Sequence, residues 1–89
     1  MKAVITVIGN DTMGIIAKTS VFLADRNINI LDISQTIMQD LFTMIMLVDM
    51  EKSTVSFDEV RNGLNVIAEE IGVTITVQHD EIFRSMHRI

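Results

Sequence analysis

Two hydropathic periods alternate along the chain, and the switches between them mark six elements. Lys2 to Ile8 is a β-branched run (Ala3, Val4, Ile5, Thr6, Val7, Ile8) ended by Gly9, the pattern of a strand covered on both faces. Asn10 to Gly14 predicts a turn, and Gly14 to Asn27 a helix. On that helix Ile16, Ala17, Val21, Leu23 and Ala24 cluster on one side with Ser20 among them, whereas Ile15 and Phe22 fall opposite as a second, outward stripe. Asn27 suits the left-handed position that closes a helix. Ile28 to Met38 alternates less cleanly and ends at a Gln39-Asp40 turn. Leu41 to Met50 then puts Phe42, Met44, Met46, Val48 and Met50 on one face, and Leu41, Ile45 and Leu47 on the other. Ser56 with Glu59 forms a capping-box pair ahead of a helix carrying Phe57, Val60, Leu64, Ile67, Ala68 and Ile71 on one side, with Gly72 to end it. In Val73 to Gln78 the Val73/Ile75/Val77 set points inward and Thr74/Thr76/Gln78 outward. Asp80 to Ile89 predicts a short helical tail with Ile82, Phe83, Met86 and Ile89 on its apolar side.

Strand, helix, strand, strand, helix, strand predicts an α+β domain, the ferredoxin-like βαββαβ sandwich. Right-handed crossovers place both helices on one face of a four-stranded antiparallel sheet. The first and third strands should be central, because they are apolar on both sides. Residues 1–79 then form the domain and 80–89 its tail. One sheet face is left bare, to be hidden by a second copy or by the tail folding over it. Ile15, Phe22, Met44 and Met46 are the candidate interface positions.

Composition sharpens this picture. Eighty-nine residues allow one core, and a domain this small should be more polar than average. It is instead 48% apolar, with a mean hydropathy of +0.38, which favours a hidden face. With no cysteine in the chain, disulfides, thiolate metal sites and cysteine nucleophiles are excluded. A net charge of −5 and the lack of Trp and Tyr argue against nucleic-acid binding. No membrane-spanning run or signal-peptide pattern is present, so a cytoplasmic protein is expected. His79 and His87 are too isolated for a metal site, no cofactor is implied, and no nucleophile–base pair points to an enzyme.

One constellation could carry chemistry. Gly9-Asn10-Asp11-Thr12-Met13-Gly14-Ile15 joins the first strand to the first helix. Backbone N–H groups of Met13, Gly14 and Ile15 at a helix start can receive an anion, and the Asp11 carboxylate can face an ammonium. The pair suits the zwitterion of an α-amino acid. The competing reading makes Asp11 or Thr12 a plain N-cap and Gly14 a packing relief.

Val7 to Ile16, followed by Ala24-Asp25-Arg26-Asn27-Ile28-Asn29-Ile30, resembles the ACT domain, a small ligand-binding regulatory module attached to amino-acid biosynthetic enzymes. The resemblance covers residues 2 to about 79 and is strongest to stand-alone ACT proteins, whose Phe83-to-Ile89 ending the chain shares. It is more distant to the glycine cleavage repressor group. It implies a homodimer with the ligand, an amino acid, between subunits. Asp11, Met13 and Gly14 would line the ligand from the loop side, Asn29 would be the polar partner at the start of the second strand, and a separate protein would receive the signal. Met13 stands where many amino-acid-binding members have Pro, and Asp11 where serine-binding members have Asn. Some ACT domains serve only for dimerisation, which is the competing function: a protein-interaction module without a small ligand.

Overall fold

The computed structural model describes residues 1–10 and 14–81. Its elements are β1 (Lys2–Asn10), α1 (Ile15–Asp25), β2 (Asn29–Met38), β3 (Leu41–Asp49), α2 (Phe57–Ile71) and β4 (Thr74–His79). The strands lie in the order β2-β3-β1-β4, every neighbouring pair antiparallel, so β1 and β3 are central as their two-sided apolar patterns require. Asp80 and Glu81 begin a helical turn, and the remainder of the expected tail, residues 82–89, lies outside the described residues.

The element ends follow local chemistry. The Ser56 hydroxyl accepts from the Glu59 N–H at 3.2 Å and caps α2. Gly72 takes φ +75° at its far end, where its N–H and that of Val73 both reach the Ala68 carbonyl. Asn27 closes α1 with φ +61°, and the Ile28 N–H returns to the Leu23 carbonyl at 3.0 Å.

Cross-strand pairing assigns each residue to a sheet face. Ala3, Ile5 and Val7 of β1, Phe42, Met44, Met46 and Val48 of β3, and Ile75 and Val77 of β4 share the helix side. They form one core with Ile15, Phe22, Leu23, Val60, Leu64 and Ala68. Met44 and Met46 are fully buried there. They are not available to a partner, because the more apolar face of β3 is the one the helices cover.

Helix α1 is rotated from the orientation that its apolar residues predict. Ile15 (2% exposed) and Phe22 (8%) are core residues rather than an outer stripe, while Ile16 and Val21 (59%) face solvent. Thr19 explains the difference. Fully buried, it satisfies its hydroxyl within its own turn, donating to the Ile15 carbonyl at 2.8 Å. A polar residue therefore sits at the centre of the inward stripe Ile15-Thr19-Phe22. Phe22 is wedged between the helices, its ring where a side chain on Gly63 of α2 would have to go, with the Arg26 guanidinium 3.7 Å from its centroid.

Candidate functional site

Strand β1 delivers the chain to Asn10, and α1 opens at Gly14 with φ +90° and ψ 1°, a left-handed conformation that glycine adopts without steric cost. Gly14 is itself the N-cap residue, so neither Asp11 nor Thr12 holds that position. Having no side chain, it cannot cap the first turn, and no acidic residue occupies that turn. The Lys18 N–H closes the turn on the Gly14 carbonyl at 2.9 Å. The N–H groups of Ile15, Ile16 and Ala17 are thereby left without a helical acceptor and aim their partial positive charge at whatever approaches. Asp11 and Met13, predicted to line a ligand, lie outside the described residues.

Asn29 lies at the other end of the sheet. It pairs with Asp49, and Asp49 pairs with Lys2 at the start of β1. Asn10 pairs with Leu41, which faces Met38 at the end of β2. Eight residue steps separate these two ends, about 27 Å at a strand's rise. Within one chain, therefore, the predicted site residues Gly14 and Asn29 are not brought together.

Around Asn29 the structure forms a cleft of about 480 Å³ with Asn27, Ile28, Asp49, Glu51 and Lys52 on its walls. Two connections meet here. The Asn27 amide donates to the Lys52 carbonyl at 3.1 Å, and the Thr54 N–H donates to the Arg26 carbonyl at 3.0 Å. The Asp49 carboxylate accepts from the Glu51 N–H at 3.0 Å. The sequence reading missed these walls because they come from two loops 25 residues apart in the chain. The one local signal was Asn27, whose left-handed conformation turns the chain toward them.

The interface candidates Ile15, Phe22, Met44 and Met46 are all inside the fold. Exposed apolar residues lie on the other sheet face, at Ile8, Leu41 and Ile45, along β2 at Leu31, Ile33, Ile37 and Met38, and on the helices at Ile16, Val21 and Val66. Strand β2 is an edge, and of its ten residues Ile30 is half-buried and the other nine are exposed. Among the described residues no group of three or more His, Asp or Glu could hold a metal ion, and no helix is long and apolar enough to cross a membrane.

An open helix start beside a βαββαβ sheet, with an uncovered edge strand, is the frame of a small regulatory ligand-binding module. Residues 2–78 match the ACT domain family model, and the chain belongs to that family. A single-domain UPF0237 protein of Clostridium acetobutylicum is 57% identical over all 89 residues of both chains. An ACT domain protein from Streptococcus pneumoniae superposes with a TM-score of 0.80 at 38% identity, covering 93% of each chain. The regulatory subunit of aspartate kinase from Thermus thermophilus, in its ligand-free form, gives 0.69 at 29% identity, over 89% of this chain and 51% of that one.

Proposed function

We propose that the chain is an amino-acid sensor acting as a homodimer, with the ligand held between copies and the signal passed to a separate protein. The observation that carries this reading is the separation of Gly14 from Asn29 along one subunit. A two-fold axis beside β2 reverses the second copy, so that Asn29 of one chain approaches the Gly14 end of the other. The exposed β2 edge supplies free backbone donors and acceptors for that pairing. The open N–H groups of α1 then bind the ligand's carboxylate, and Asp11 its ammonium. Asn29 of the second copy supplies a further hydrogen bond. A ligand touching both subunits favours one dimer geometry, and a coupling of about 1–3 kcal/mol suffices for regulation. Membership of a family of regulatory modules and the likeness to a kinase regulatory subunit both support the reading.

Calorimetric titration with a panel of amino acids tests it. Heat from one class of amino acid is expected, with affinity falling roughly tenfold in Asn29→Ala, the loss of one charge-assisted hydrogen bond. Silence from a folded dimer across the panel leaves a dimerisation module without a ligand. Mixed dimers give a sharper result. Asp11→Ala and Asn29→Ala each damage both sites, but a heterodimer of the two has one intact and one doubly damaged site. Mixing the two weakened proteins is expected to restore full affinity at about a quarter of all sites, since half of the dimers are then mixed and each of these has one intact site of two. A site built within one chain would show no such rescue.

A further inference from the structure

The outer surface of the helix layer carries a groove of about 440 Å³ between α1 and α2. The helices run antiparallel along it: Lys18 of α1 meets Glu70 near the end of α2, and one turn later Phe22 lies against Gly63. The floor is apolar, made by Ala17, Val21, Phe22 and Ile67. Val21 is more than half exposed, and so is Val66 beside Ile67 on α2. The charges around this floor are unbalanced. All three cations of the layer are engaged: Lys18 pairs with Glu70 at 3.7 Å, Arg61 with Asp58 at 2.6 Å, and the Arg26 guanidinium lies on the Phe22 ring. Asp25 and Glu59 have no ion-pair partner among the described residues. Asp25 lines the groove beyond Phe22, and Glu59 precedes Gly63 by one turn on the same stripe of α2. The antiparallel arrangement therefore puts both carboxylates at one end of the groove.

We infer that the protein receiving the signal lays an amphipathic helix into this groove, its apolar stripe on Val21, Val66 and Ile67 and a basic residue at the Asp25–Glu59 end. The inference rests on the proposal that a separate protein receives the signal. A helix fits by shape, because the trough between two packed helices takes a third along its length. From Lys18 to Asp25 the floor extends about 10 Å, two turns of such a helix. Charge selects its flanks. A lysine or arginine arriving beside Asp25 and Glu59 gains two unpaired carboxylates, whereas an acidic helix is repelled there.

Nuclear magnetic resonance of the labelled full-length protein tests this with two synthetic helical peptides, both with leucines at helical spacing, one flanked by lysines and the other by glutamates. Amide shifts are expected along the facing sides of α1 and α2, with the lysine peptide bound more tightly. Val21→Ser with Val66→Ser, both exposed, should weaken binding roughly tenfold and leave the fold intact. Asp25→Lys with Glu59→Lys should reverse the preference between the peptides. Shifts gathered on β2 or on the opposite sheet face overturn the inference, as do equal affinities for the two peptides or no binding at all. Shifts in α1 that follow protein concentration without peptide also overturn it, by assigning the groove to a second copy. The amino-acid titration is read separately: heat without peptide binding removes this partner and leaves the sensor, and peptide binding without heat removes the sensor alone.

Discussion

At the residue scale, glycine matters in this fold through the atoms it lacks. Gly63 lies in the middle of α2, where alanine would ordinarily gain about 1 kcal/mol of helix propensity. A methyl there would occupy the space of the Phe22 ring, which is pinned between two helices and covered by Arg26. Overpacking outweighs propensity, and Gly63→Ala is expected to destabilise the protein by about 1–3 kcal/mol in urea unfolding. Thr19 shows why α1 was misread in the sequence. Its hydroxyl is neutralised by a carbonyl one turn earlier, a bond that hydropathy does not encode. Counted as polar it turned the predicted stripe toward Ile16 and Val21; counted as apolar it restores Ile15 and Phe22 to the core.

The elements were more legible than the orientation of any one of them. Caps at Ser56, Gly72 and Asn27 stood where local chemistry put them, and strict alternation in β3 and β4 assigned both faces correctly. Strand β2 was harder, because a register shift between Ile30 and Asp32 inserts Leu31 as an extra residue and breaks the period of two. The clean alternation of β3 permits a direct comparison. Met46→Asp buries a charge beneath the helices and is expected to leave an unfolded chain by circular dichroism. Ile45→Asp, one residue away on the opposite face, should leave the fold intact. The candidate site was legible only in halves: the Gly14 turn and Asn29 were both visible, but their placement toward opposite ends of the sheet follows from pairing between strands distant in sequence.

For the whole molecule, the consequential surface is β2. It is one residue longer than its neighbour β3, lies at the edge, and carries Ile33 and Ile37 on the helix side beyond the cover of the helices. A lysine at Ile37, already 57% exposed, should cost the monomer little. Under the proposed pairing it should shift the dimer toward monomers in sedimentation, with the thermal transition of the separated chain preserved. An unchanged dimer would move the interface away from this strand.

Strand β4 sets a limit of a different kind. Joining two copies along β2 would make an eight-stranded sheet whose only remaining margins are the two copies of β4. That strand is six residues long against the nine of β1, and its outward side is Thr74, Thr76 and Gln78. A margin so short and so wet is a poor template for a third chain, so growth would stop at two and no filament would form.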